Sequence, residues 1–253
     1  DKIRYFDNEG RFMHDAPADA GLGERAHFHE HTRDLQAFLE YAQVMGDSSL
    51  LELVPKGYEY GKTHGNLLLG YFPEFVDSPQ LEHSELCGVA DMIALGLKLT
   101  NNGLGDYWDD VDRYVRNQFA QMQMRSSDWV YRMIDGYGES PVGPAETADQ
   151  VPERCVGGFG GWTTANDFFV GVGNGMMNCC TGNCSRALYY VWENVAEVSD
   201  DELRVNLLLD RSLDAAEIVS RLPHEGACRS EQSVRWSPSR FERQSGSGGE
   251  TIT

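Results

Sequence analysis

The chain has 253 residues, room for one large domain or for one domain and part of another. Its 41% hydrophobic and 11% aromatic content excludes a mainly disordered protein, and no apolar run reaches the roughly 18 residues that a membrane helix needs. A formal net charge of −19 would repel a phosphate backbone, which argues against nucleic acid as a partner. Residues 1–25 are polar, include HDAPADAGLGE and show no sustained period, so they read as loop. The opening DKIRYFDNEG lacks the apolar segment of a signal peptide; it reads as a processed or truncated start and gives a cytoplasmic expectation.

From about Ala26 the pattern becomes helical. His31, Leu35, Phe38, Ala42 and Met45 recur at intervals of three and four, and Gly46-Asp47 stops the run. Ser48 is placed to cap a second helix reaching about Tyr60, within which Pro55 demands a kink or a new start. The loop GNLLLGYFPEFVDSPQ follows. A third helix is expected over Glu82–Thr100, with Val89, Met92, Ile93, Gly96 and Leu99 on one face and Asn101-Asn102-Gly103 ending it. The fourth, Asp106 to Met124, opens with Asp106, Asp109 and Asp110 and buries Tyr107, Val111, Tyr114, Val115 and Gln118.

Residues 125–178 are rich in Gly and Pro and read as one long loop, a length that is usually functional or disordered. A fifth helix is expected just after Thr181, with Cys184, Ala187, Leu188, Val191 and Val195 on one side. ELRVNLLLD and AEIVSRLP then read as two strands around the turn RSLDA, and from Cys228 onward a Ser-, Arg- and Gly-rich segment reads as a disordered tail. The fold class is mainly α: antiparallel helices, as in a helical toroid or bundle, over residues 26–200, the first strands of a β domain over 201–227, and the tail over 228–253.

Six cysteines, at 87, 155, 179, 180, 184 and 228, are too few for a disulfide-stapled scaffold of this size. Adjacent cysteines such as Cys179 and Cys180 rarely bond each other, so the thiols are expected to be reduced or metal-bound. Glu85 and Cys87 at one helix start, with Cys179-Cys180 just before another, supply three thiolates and a carboxylate, a set that Zn2+ accepts. The unpaired amides at the start of the fifth helix would favour a thiolate there. Against this stands the plain reading of three buried, hydrophobe-like cysteines. Glu74, among the aromatics of GYFPEF, could have a raised pKa and act as a general acid, with Glu82 as competitor and a surface carboxylate as the alternative. His27, His29 and His31 could bind metal, hydrogen-bond a polyol, or cap the helix. Trp162 could stack on a sugar or fill the core.

The run SELCGVADMIALGLKLTNNGLGDYWDDVDRYVRNQFAQMQ, followed by NCCTGNCSRALYYVWENV and LRVNLLLDRS, resembles glycoside hydrolase family 127, the β-L-arabinofuranosidase-like proteins. HFHEHTRDLQAFLEYAQVMGD and GYFPEF fit the same family, and the match spans roughly residues 25–225. The Glu-x-Cys and Cys-Cys elements are its specific part.

The resemblance implies an (α/α)6 barrel followed by β-sandwich domains. It also implies a zinc ion held by Glu85, Cys87, Cys179 and Cys180, Cys179 as nucleophile, Glu74 as acid/base, and substrate contacts from the cluster His27, His29, His31. The implied reaction is double displacement with retention on an arabinofuranoside-like carbohydrate. Three departures are visible: a short interval from Glu74 to Glu85, a start partway through the expected barrel, and only two strands of the sandwich. Two other readings compete with this one, a truncated, non-catalytic protein in which zinc clamps two helices, and a helical-barrel lyase or epimerase.

Overall fold

A computed structural model describes residues 5–13, 26–76, 84–135, 141–163, 175–199, 202–214, 216–221, 225–230, 233–236, 243–246 and 249–252. Helix α1, Phe28–Met45, buries Phe28, His31, Thr32, Leu35, Gln36, Leu39 and Ala42, a stripe at intervals of three and four. Gly46 ends it at φ 68°, the left-handed conformation that a glycine adopts without steric cost. His31, Leu35 and Ala42 of the expected face are buried, but the face is rotated slightly: Met45 is exposed and Phe38 half-buried, while Gln36 and Leu39 are buried. Helix α2, Ser48–Lys62, is capped by Asp47 rather than by Ser48. The Asp47 carboxylate accepts from the amides of Ser49 and Leu50 at 3.0 and 3.2 Å. Pro55 lies inside α2, which continues past it.

The central element is α3, Leu86–Asn101. Every residue from Leu86 to Leu97 is buried, and so is Leu99. A helix apolar on nearly all sides needs neighbours on all sides, and α1, α4 (Trp108–Tyr114) and α7 (Asn178–Glu193) pack around it. At Gly88 the two helices leave no room for a side chain, since a Cβ there would stand 2.9 Å from Phe28 Cδ1 of α1.

The expected continuous helix over 106–124 is interrupted. After α4 comes a π-helical turn, Val115–Phe119. The amide of Gln118 donates at 2.9 Å to the carbonyl of Leu69, so a neighbouring loop takes a donor that a regular helix would keep. The stretch 125–178, expected to be loop, contains two short helices among its described residues, α5 (Asp128–Ile134) and α6 (Val151–Arg154).

Helix α7 begins at Asn178, earlier than expected, so Cys179 and Cys180 lie in its first turn. Cys184, Ala187 and Val191 are buried as the periodicity requires, whereas Leu188 is exposed. Two-residue strands β1 (Ser84–Glu85) and β2 (Trp162–Thr163) pair antiparallel.

Beyond α7 lie two sheets. One has the order β3-β4-β8, from Ala196–Val198, Glu202–Val205 and Ser233–Trp236, with β4 and β8 parallel. The other has the order β5-β6-β7-β10-β9, from Arg211–Leu213, Ala216–Arg221, Glu225–Ser230, Gly249–Ile252 and Arg243–Gly246, and is antiparallel. ELRV and AEIVSR are strands as expected. Residues 206–210 are not: the amides of Asn206 and Leu207 both turn to the carbonyl of Val195. The segment expected to be a disordered tail carries β8, β9, β10 and part of β7 among its described residues, where backbone pairing supplies the order that its few aliphatic side chains do not. Leu207, Leu208 and Ile218 join the core of the helical part.

Leu95→Ala, in the fully buried middle of α3, should cost about 3 kcal/mol in urea unfolding. Leu188→Ala, on the exposed side of α7, should stay within about 0.5 kcal/mol.

Candidate metal and thiol site

The starts of α1, α3 and α7 are joined by a ladder of short extended segments. His27 bridges Phe75, Pro73 bridges Ser84, Glu85 pairs with Trp162, and Gly160 bridges Met176. The amide of Phe28 donates to the carbonyl of Glu74 at 2.8 Å, that of Val76 to Ala26 at 3.0 Å, and that of Leu86 to Gly161 at 3.1 Å. First-turn amides that have no intrahelical acceptor are partly satisfied in this way. The ladder also sets the side chains just outside or inside three helix starts next to one another: His27 before α1, Glu85 and Cys87 at α3, and Cys179 and Cys180 in α7.

Glu85, Cys87, Cys179 and Cys180 each offer a donor atom, and all four atoms lie within 4.8 Å of one another. The thiol of Cys87 donates to Cys180 Sγ at 3.3 Å, and Cys179 Sγ lies 3.9 Å from Cys180 Sγ. These separations exceed a disulfide bond and bracket the roughly 3.8 Å between sulfurs on one tetrahedral ion with metal–sulfur bonds of ~2.3 Å. Cys87, Cys180 and Glu85 are buried, whereas Cys179 is exposed. Asn183 Nδ2 donates to Cys87 Sγ at 3.2 Å. The set can hold a metal ion, since three soft donors and one hard donor converge on one spot.

A second group shares Glu85. His27, Glu74 and Glu85 also bring their donor atoms within 4.8 Å of one another. His27 Nε2 lies 2.7 Å from Glu85 Oε2, and the His27 ring packs beside Phe75 with centroids 5.3 Å apart. The Glu85 carboxylate thus stands in both groups. Glu82 lies outside the described residues.

The electrostatics differ from the sequence expectation at the thiols. Burial pushes the Cys179 thiol up, with the nearby Cys87 sulfur adding to the effect. The Cys87 thiol is pushed up strongly, first by its hydrogen bond to Cys180 and then by burial. Both shifts run against the thiolate form at Cys87 and Cys179, and a bound cation is the partner that would favour it. Burial lowers the His27 pKa, but the hydrogen bond and charge of Glu85 more than offset this, and the net shift is upward.

The three histidines separate. His27 stands in the site. The His29 ring is 6.0 Å from that of His27, and its Nδ1 lies 2.6 Å from Asp91 Oδ2. His31, expected beside them as a substrate contact, does not join them. It is fully buried, stacks on Phe12 at 4.9 Å, and places its nitrogens 2.8 Å from the carbonyls of His27 and Met13. Four residues along α1 from His27 is the next turn down, inside the core. Trp162 stands beside the site through the pairing of β2 with β1.

Asp91 went unnoticed in the sequence. It is fully buried and accepts at 3.0 Å from Thr32 Oγ1, 2.7 Å from Gln36 Nε2 and 3.1 Å from an Arg186 guanidinium nitrogen, besides its contact with His29. A signal was present: it is the one charged residue between Glu85 and Lys98, in a run otherwise built for burial.

No family model matches the chain, and no curated protein matches its sequence. Among solved structures it is similar to a glycoside hydrolase family 127 β-L-arabinofuranosidase from Geobacillus stearothermophilus T6. The identity is 15% and the TM-score 0.48, over 90% of this chain and 42% of that one. The chain therefore spans less than half the length of that structure.

In reduced, chelator-treated protein, iodoacetamide should alkylate Cys179 at least about 10-fold faster than Cys87, Cys180 or Cys184, because only the first is exposed. Peptide mass mapping over a time course reads this directly, and equal rates at Cys179 and Cys87 would contradict the burial described.

Proposed function

We propose that the chain carries the active site of a retaining glycoside hydrolase acting on arabinofuranoside-like carbohydrates, with α1–α7 forming part of an (α/α)6 barrel. In this reading Glu85, Cys87, Cys179 and Cys180 hold Zn2+. The observation that carries the proposal is the shared carboxylate of Glu85, which belongs both to the thiol set and to the group with Glu74 and His27. Exposure adds a second support, since Cys179 is the sulfur of the set that a substrate can reach.

Bound zinc would keep its sulfur ligands deprotonated near neutral pH. Cys179 Sγ attacks the anomeric carbon and forms a carbon–sulfur bond as the glycosidic carbon–oxygen bond breaks. Glu74, protonated at the outset, gives its proton to the departing oxygen. It then takes a proton from a water whose oxygen displaces the sulfur, so the configuration inverts twice and is retained. Glu85 is a ligand and not a base in this scheme, because a carboxylate engaged by a cation is a poor proton acceptor. His27, held by Glu85, and His29, held by Asp91, are the side chains set to hydrogen-bond the sugar hydroxyls.

The buried pair Cys87 and Cys180, which ties α3 to α7, favours a second reading in which the metal is only a clamp. Two measurements separate the readings. Metal analysis of reduced, purified protein should find about one zinc per chain, and Cys87→Ser or Cys180→Ser should remove most of it. Cys179→Ser should lower cleavage of an aryl arabinofuranoside by about 10³-fold or more, and Glu74→Gln by about 10²- to 10⁴-fold, less with a better leaving group. Zinc retained with no turnover in the unaltered protein would favour the clamp, and turnover surviving Cys179→Ser would remove the proposed nucleophile.

A further inference from the structure

We propose that Asp91 is a positioning residue for His29. It holds the proton on Nδ1 and so leaves Nε2 as the nitrogen offered to a sugar hydroxyl beside His27. The inference rests on the proposed function for the identity of the ligand, but not for the pairing itself. Asp91 has no solvent contact, and its two oxygens are engaged by donors from two helices. Oδ2 faces His29 Nδ1 at 2.6 Å and Thr32 Oγ1 at 3.0 Å, and Oδ1 faces Gln36 Nε2 at 2.7 Å and Arg186 at 3.1 Å.

A carboxylate restrained in this way can neither turn nor retreat, so it presents an acceptor, and only an acceptor, to the His29 ring. A ring nitrogen facing such an acceptor carries the proton, which fixes the tautomer. Thr32 strengthens the arrangement: its hydroxyl is also within reach of the carbonyls of Phe28 and His29 at 3.0 and 3.1 Å, which ties the carboxylate to the turn of α1 that bears the histidine. His29 is only 12% exposed at its side chain and meets the His27 ring edge-on, at 82°. Among the described residues no protein group is bonded to its Nε2.

Asp91 also stands about one helical turn after Cys87 in α3, and Arg186 about one turn after Asn183 in α7. One carboxylate therefore holds a site histidine in register with the helices that carry the thiols.

The test labels histidine with 15N and reads the imidazole nitrogens at about pH 8, where neutral tautomers are resolved, with His29→Gln used to assign the signal. Nδ1 should be protonated in the unaltered protein. Asp91→Asn, which offers an amide instead of a carboxylate, should shift the proton to Nε2. The same variant should lose about 10- to 100-fold in kcat/KM on an aryl arabinofuranoside while keeping its zinc. Free L-arabinose should move the Nε2 resonance of the unaltered protein.

An Nε2 proton in the unaltered protein overturns the proposal, and that measurement needs no variant to fold. An unchanged tautomer in Asp91→Asn, or a switched tautomer with unchanged kcat/KM, also overturns it, whereas an Nε2 signal indifferent to arabinose counts against the proposed ligand. Absence of any glycosidase turnover in the unaltered protein would instead count against the proposed function, while the tautomer readings would still decide the role of Asp91.

Discussion

Much of this molecule depends on a single carboxylate that water does not reach. Asp91 sits midway along a helix whose every other face is apolar, and taking such a charge out of water costs several kcal/mol unless its partners are in place. Those partners come from α1 on one side and from Arg186 of α7 on the other. The packing of the helical part is therefore specified by more than hydrophobic contact. A slip of α1 along α3 by one turn would strand the charge, whereas apolar side chains alone would tolerate several registers.

That register is what brings three helix starts together. A helix start presents amide donors and the positive end of the helix dipole, and three of them share a small volume here. Into that volume the chain places thiols, carboxylates and His27, groups that carry or can acquire negative charge or that pair with it. Burial opposes the pull of those helix starts at Cys87 and Cys179, whose thiols are pushed up.

Glu85, Cys87, Cys179 and Cys180 were legible in the sequence because residue type and helix phase both pointed to them: a Glu-x-Cys at one helix start and a Cys-Cys at another need only be neighbours to make a ligand set. Glu74 is marked in the sequence by its aromatic, Pro-ordered surroundings and by the family resemblance, and the fold sets its carboxylate near His27 and Glu85. The histidine cluster was legible as composition but not as geometry. Alternation along α1 sends His31 into the core while His27 and His29 stay near the surface, and that depends on where the helix begins, at Phe28. The π-helical turn was not legible, because its cause is a carbonyl of Leu69 far away in sequence. Nor were the strands beyond Cys228, whose pairing is made by the backbone.

The bridge between Pro73 and Ser84 has a consequence for how this part of the chain can vary in length. It closes the intervening stretch like the neck of a loop, with Glu74 one residue inside one end and Glu85 one residue beyond the other. Closing a somewhat longer or shorter loop changes the free energy only slightly, by roughly 0.6 kcal/mol for a doubling. Insertions and deletions between the two carboxylates can thus accumulate without moving either one, and the short interval noted between Glu74 and Glu85 sets no limit on how close they stand. The two-residue step from Glu85 to Cys87 has no such freedom, since it crosses directly from strand to helix.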